Sequence, residues 1–359
     1  MNVSKIRGLK IWRAAAMLAA TAVVASLGVA GERDRATYVL TSSNDANGNQ
    51  VLVFKLETEG TPALSLVSSL PTGGKGGAAG NGGSVQFKDD LGAVANFGSN
   101  SVSRLVRIGG SIYVAGSIPL AAGCTGPNSV ALNRDHLYIS GTTCAESHAW
   151  PLGRVEGGVV KLPDSSAGQI AVGRSWAAVT MKSGSVVQLP LSREQGPLSG
   201  ASNTVNLPAM ANDTPLGAAF WGDILGFTPA HSPDSFAVVD PSRNVYPIEG
   251  PAPAFPSNAP CWVAKGPGSV WYTGNSPGQA ISIFFTDSQG GAYYKSIPAG
   301  GVVTDLAVSR DGRFLAAIYT ANGTAILSVY SIDAYGSLAQ VATSGPVGVA
   351  TFNGVAFSQ

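Results

Sequence analysis

Charge is scarce in this chain. Asp, Glu, Lys and Arg make up 12% of its 359 residues, 22 basic against 21 acidic. So balanced a surface gives no electrostatic case for nucleic acid or anionic lipid as a partner. Long amphipathic helical patterns are absent. Beyond residue 30 no run is long and apolar enough to span a bilayer. Histidine and cysteine are limited to three each. The odd cysteine count leaves one thiol over or implies no bridge at all.

What is abundant is glycine, 46 residues, within a composition that is 45% hydrophobic. The apolar residues are spread evenly, which excludes a disordered chain. Turn-rich, charge-poor and valine-rich composition predicts an all-β fold.

The N-terminus reads as a separate element. Lys5, Arg7, Lys10 and Arg13 form a basic head, residues 14–28 are small and apolar, and Gly28-Val29-Ala30 places small residues where a signal peptidase reads. That order describes a secretory signal over residues 1–30. Its removal takes away four positive charges and shifts the formal balance from +1 to about −3. The mature chain, 31–359, is expected in the periplasm or outside the cell, where disulfides are permitted.

One short pattern returns seven times: Ser84-Val85-Gln86-Phe87, Ser129-Val130-Ala131-Leu132, Gln169-Ile170-Ala171-Val172, Gly217-Ala218-Ala219-Phe220, Trp262-Val263-Ala264-Lys265, Asp305-Leu306-Ala307-Val308 and Gly354-Val355-Ala356-Phe357. The spacings are 45, 40, 48, 45, 43 and 49 residues. A period of about 40–50 residues built of strands is the signature of a β-propeller. Each unit reads as four antiparallel strands, A to D, with the small residues of strand A crowding the axis. The last unit is an A strand with almost nothing after it, whereas residues 38–41 begin as a B strand with no A strand before them. The C-terminal strand therefore completes the N-terminal blade and closes a seven-bladed ring.

Residues 38–54, Pro71-Thr72-Gly73-Gly74 and Asn96-Phe97-Gly98-Ser99-Asn100-Ser101-Val102-Ser103 resemble the seven-bladed lactonase family. That family includes propeller 6-phosphogluconolactonases and carboxymuconate-lactonizing enzymes. The resemblance implies the opening or closing of a cyclic ester of a sugar acid or muconate, at a site using His with Glu and Arg. Here Arg is scarce in the corresponding loops, and a phosphorylated substrate would want an Arg or Lys cluster.

In a propeller the B–C and D–A loops meet on one face around the axis, and that face is the expected pocket. Three candidates fall there. His148 with Glu146 is expected to supply the base, since alternation along an extended segment puts Cys144, Glu146 and His148 on one side. His231, with Lys182, is expected to hold the substrate carbonyl or carboxylate. Lys75, Arg104, Asn96, Asn275 and Trp150 are the further ligand-binding candidates. The same residues also admit a structural reading, as hydrogen-bonded loop braces. Cys124 and Cys144 lie in neighbouring loops of this face and are the candidate disulfide pair. Cys144, Glu146 and His148 are residue types that suit zinc, but their spacing is no recognised motif and the bridge competes for Cys144. No metal and no cofactor are therefore expected.

Three motif look-alikes are set aside. Pro71-Thr72-Gly73-Gly74-Lys75-Gly76-Gly77 lacks the first P-loop glycine, and a strand follows it where a helix is required. Gly274-Asn275-Ser276-Pro277-Gly278 matches the serine-hydrolase string in a hairpin, where Pro277 has no N–H to give. Asp45-Ala46-Asn47-Gly48-Asn49 departs from a calcium loop at Gln50 and Leu56. Asn212-Asp213-Thr214 and Asn322-Gly323-Thr324 are glycosylation sequons, meaningful in a eukaryotic secretory pathway. Three readings stay open: a secreted lactonase-like hydrolase, a non-catalytic propeller that binds a ligand or protein, and an inert structural protein. A monomer is expected.

Overall fold

Seven four-stranded antiparallel blades surround a central axis in the computed structural model, which describes residues 36–208, 213–230, 236–250, 259–287, 289–349 and 351–359. The proposed signal, His231 and Asn212 lie outside the described residues. The innermost strands are Val85–Lys88, Ser129–Leu132, Ala167–Val172, Pro215–Trp221, Pro260–Lys265, Val302–Val308 and Asn353–Ser358. All seven recurring tetrads fall on them, except that Ser84 immediately precedes its strand. The only helical element among the described residues is a single 3-10 turn, Phe97–Ser99. No helix among them is long and apolar enough to cross a membrane.

The ring closes as the tetrads predict. Asn353–Ser358 pairs antiparallel with Thr37–Ser42, Val39 opposite Phe357 and Thr41 opposite Val355. Every residue of both strands is buried. Val355 and Phe357 pack with Val39, Phe54, Ile318 and Leu327, so one apolar cluster joins the first blade to the last. Closure thus rests on side-chain burial as well as on the ladder, and it leaves no free inner edge.

Five blades slip register near the start of strand A: at Thr41/Ser42, Ala167/Ile170, Pro215/Ala218, Pro260/Trp262 and Val303/Asp305. A bulge re-aims the side chain beside it and frees a backbone amide. In two blades a threonine hydroxyl takes that amide: Gln169 N–H donates to Thr180 Oγ1 at 2.9 Å, and Gly217 N–H to Thr228 Oγ1 at 2.9 Å. The tetrads' third position is alanine in six blades (Ala131, Ala171, Ala219, Ala264, Ala307, Ala356) and glutamine in the seventh, Gln86. Crowding at the axis favours the small side chain. Gln86 is the exception, and it lines the axial space.

Candidate functional site: the axial cavity

The face of the B–C and D–A loops is closed at the axis by the chain's own D–A segment. Residues 77–83 leave the first blade and cross the middle of the ring. Asn44 Oδ1 accepts the N–H of Gly77 at 2.9 Å and of Ala78 at 3.1 Å. Asn81 donates through Nδ2 to the Asn128 carbonyl of the third blade, and Asn353 Nδ2 donates to Asn81 Oδ1 at 3.2 Å. Gly83 N–H donates to Asp305 Oδ2 at 3.0 Å, and its carbonyl accepts Val130 N–H at 2.9 Å. Gly82 is fitted so closely that a Cβ there would stand 2.4 Å from Gln169 Oε1. Residues 81–83 thus touch the first, third, fourth and seventh blades and fill the aperture where a ligand was expected.

Two spaces remain. One, about 390 Å³, lies above the plug and is lined by Ala46, residues 77–81, Trp262, Thr351 and Phe352. The other, about 270 Å³, lies along the axis below it, lined by the A strands of the second to seventh blades. Its inner wall is sealed, with Val130 at 0%, Ile170 at 1% and Leu306 at 5% exposure. Toward the A–B turns Leu132, Val172, Phe220, Lys265 and Val308 become partly exposed. The cavity therefore opens on the face opposite the plug.

Asp305 stands at its closed end. The carboxylate accepts Leu306 N–H through Oδ1 at 2.8 Å, Gly83 N–H through Oδ2, and Val355 N–H. Burial disfavours its charge and pushes its pKa up to about 7, the three amides opposing the rise only in part. Gln169 lines the cavity with its Oε1 on Ala218 N–H at 3.0 Å, and Gln86 adds a second side-chain amide. At the mouth, burial lowers Lys265 to about 8. Its ammonium donates to the carbonyls of Gly266 at 2.7 Å, Gly268 at 2.6 Å and Val270 at 3.2 Å, and lies 5.2 Å from both the Trp221 and Trp271 rings. All three of its protons have partners, so it serves as a fixed positive rim.

The residues singled out from sequence mostly sit elsewhere. Residues 144–149, read above as loop, form the C strand Cys144–Ala149 of the third blade, paired antiparallel with His136–Ser140 and almost wholly buried. Glu146 and His148 are 0% exposed. His148 Nε2 is 2.7 Å from Glu146 Oε1 and its Nδ1 is 2.9 Å from the Gly153 carbonyl. That carbonyl can only accept, so Nδ1 carries a hydrogen. One further proton bridges Nε2 and the carboxylate. Glu146 also accepts Ala121 N–H at 2.9 and 3.1 Å. The nitrogen a general base would use is already engaged, and the pair lines none of the cavities described here.

Arg104 braces the second and third blades, Nη1 donating to Pro151 O and Nη2 to Ala115 O, both at 2.9 Å. Trp150, expected on the ligand face, is buried among Val102, Ile118 and Leu137. Asn96 accepts from Asn49 Nδ2 and Thr72 Oγ1 and donates to Ser103 Oγ. Asn275 bridges Ser282 and Thr273 within one blade. Lys75 is exposed. Lys182 reaches the plug instead, its Nζ 3.4 Å from the Ala79 carbonyl, and burial lowers its pKa. Cys124 and Cys144 are joined, S–S 2.08 Å with their Cα atoms 5.6 Å apart. Cys261 is a free thiol.

No family model and no curated protein matches the sequence. Solved structures do match. A protein of Bacteroides uniformis, provisionally named a 6-phosphogluconolactonase, is 15% identical over 90% of this chain and 99% of its own, with a TM-score of 0.65. A similarly named protein of Bacteroides fragilis is 11% identical over 92% and 99%, TM-score 0.64. Virginiamycin B lyase from Staphylococcus aureus is 12% identical over 78% and 94%, TM-score 0.54. At these identities the likeness establishes the seven-bladed fold. The resemblance read from the sequence is thus present in the architecture.

Proposed function

We propose that this chain is a lactonase-like propeller that receives a small cyclic ester in its axial cavity and opens it with water. The observation that carries this reading is Asp305, an acid raised to about 7 at the closed end of that cavity. A general base works best with a pKa near the operating pH. In the proposed step Asp305 takes a proton from a water molecule as its oxygen attacks the ester carbonyl. The amides of Gln86 and Gln169 offer N–H groups to the developing oxyanion. Collapse breaks the ring C–O bond, and the leaving alkoxide recovers the proton from Asp305, giving the hydroxy acid. The lactonase-like structural neighbours support the reaction class. A phosphorylated substrate fits poorly, because the one lysine of the cavity has all its donors in use.

The reading also places the protein outside the cytoplasm, with residues 1–30 removed. The Cys124–Cys144 bond supports this, since such bonds persist in oxidising compartments. Intact mass of protein recovered from cell fractions checks it: a periplasmic or secreted chain beginning near residue 31 is expected.

The central test is hydrolysis of a lactone panel by wild type, Asp305→Asn, Gln86→Ala and His148→Ala. Turnover that rises with pH through about 7 and falls at least about tenfold in Asp305→Asn and Gln86→Ala supports the axial site. Loss in His148→Ala alone moves the chemistry to the third blade. Saturable binding without turnover turns the assignment to a non-catalytic ligand-binding propeller.

A further inference from the structure

The axial cavity has a side branch to which the reaction above gives no task. Between the second and seventh blades, against the closing strand Asn353–Ser358, lies a cleft of about 190 Å³. It shares Gln86, Ala307 and Val308 with the axial cavity, so the two spaces meet beside Gln86. Its walls are Phe87, Ala307, Val308, Val355, Ala356 and Phe357. We propose that this cleft holds an apolar substituent on the ring of the cyclic ester, an assignment that rests on the axial reaction above. The substrate is thereby an alkyl- or aryl-substituted lactone rather than a polyhydroxylated sugar lactone.

The side chains sort the two halves of such a molecule. The closed end of the axial cavity carries Asp305 and Gln169, polar groups that suit an ester. The cleft offers apolar side chains from Gln86 out to its rim. Phe87 and Val308 are left half-buried there, apolar surface that an apolar substituent would take from water. The Phe87 ring is held in place by what faces it. A Cβ on Gly92, in the neighbouring strand, would run into that ring, so the glycine lets it lie close against the blade. A wall fixed before the ligand arrives costs little ordering on binding.

The charges at the rim are used on each other. Arg310 Nη1 is paired with Asp89 Oδ1, which joins the seventh blade to the second across the outer end of the cleft. Lys88 and Gln359 complete that solvent side. The space also limits the substituent. With a water's share of volume at about 30 Å³ and a methylene of similar size, the cleft takes roughly six such groups.

A homologous series tests the assignment. The mature protein is offered γ-lactones bearing no side chain, ethyl, butyl, hexyl or octyl, and kcat/KM is read for each. Burial of each methylene should raise it about two- to fourfold. The gain should level off near roughly six carbons. Gluconolactone should be the poorest substrate. Phe87→Ala should cut the ratio of hexyl to unsubstituted turnover at least about fivefold, a ratio in which any loss of folded protein cancels. Hydrolysis indifferent to chain length would overturn the proposal and leave the axial reaction standing. Preference for a carboxylate-ended chain over an alkyl chain of equal length would give the cleft to Lys88 and overturn it too. Where no lactone is opened, binding decides. 2-Alkylcyclopentanones, rings that water does not cleave, are titrated by calorimetry into wild type. Affinity that climbs with chain length would sink the hydrolase reading and keep the cleft as the apolar-chain site. No binding, or binding indifferent to chain length, would overturn the cleft's assignment.

Discussion

Replacing Asp305 by Asn should remove a pH dependence that runs opposite to the usual one. The native carboxyl titrates near 7 against 3.8 for an unhindered aspartate, because burial penalises its charge more than three amides reward it. Between pH 4 and 7 the folded protein therefore keeps a proton that the unfolded chain has lost. The native state binds more protons, so stability falls as pH rises. The contribution is whole below about pH 4, declines toward 7 and is flat above that. The full span corresponds to about 4 kcal/mol at about 1.4 kcal/mol per tenfold change in proton affinity. Against a total of about 5–15 kcal/mol for a folded domain, that is readily measured. Asp311, held down to about 2 by Ser309, Arg313 and Gln359 despite some burial, works with the opposite sign and at lower pH, so it leaves the window from 5 to 7 clear. The assay is urea unfolding at half-unit steps from pH 4.5 to 8.5. Wild type should lose stability from 5 to 7. Asp305→Asn should show a flatter profile across that window. It should also carry a constant deficit of about 1–3 kcal/mol, because its NH2 group faces amides that need an acceptor. The two curves should approach each other, or cross, above pH 7. Equal slopes in the two proteins would refute the assignment of the raised pKa to Asp305.

Three further outcomes follow from the same structure. Gln86→Ala puts the residue of the other six blades at the ring's one exception, so urea stability should change by less than about 0.5 kcal/mol while lactone turnover falls. Phe357→Ala empties part of the cluster that joins the last strand to the first blade and should cost about 3–5 kcal/mol in urea unfolding. Gly82→Ala forces a Cβ to 2.4 Å from Gln169 Oε1; by the same assay it should cost about 1–3 kcal/mol, and it should expose the plug to limited proteolysis.

The architecture was legible because it is carried by a repeated local pattern. Small residues crowd the axis in six of the seven blades, so the A strands appear as tetrads without knowledge of any contact. An unpartnered A strand at one end and an orphan B strand at the other foretell the closure between Asn353–Ser358 and Thr37–Ser42. The axial aperture was not legible. The path of residues 73–83 is set by Asn44, Asn128, Asn353 and Asp305, which lie between 30 and 280 positions away in sequence, and a glycine-rich segment has no period of its own. Glu146 and His148 attracted notice by residue type, by alternation and by an expected place on the loop face. Their burial between blades is a tertiary property that no spacing reveals. One usable signal was in the tetrads themselves. Gln86 departs from six alanines, and Asp305 is the only acid at the first position. Deviation from the repeat marked the axial residues better than chemical type did.

Asp305 joins three structures at one carboxylate: the plug through Gly83, its own strand through Leu306 and the closing strand through Val355. A raised pKa at such a joint arises in two ways, and a variant separates them. The site can be an acid tuned for catalysis, or a staple whose burial shifts its pKa as a by-product. Asp305→Asn disturbs both at once, so a loss of activity there would not discriminate between them. Gln86 lines the same cavity, and its ring position is filled by alanine in every other blade. Truncating it should spare the fold and still remove an amide from the cavity. If turnover depends on Gln86, the cavity binds substrate and the shift of Asp305 belongs to its chemistry. If turnover exists and ignores Gln86, Asp305 is a staple and the reacting site lies elsewhere on the ring.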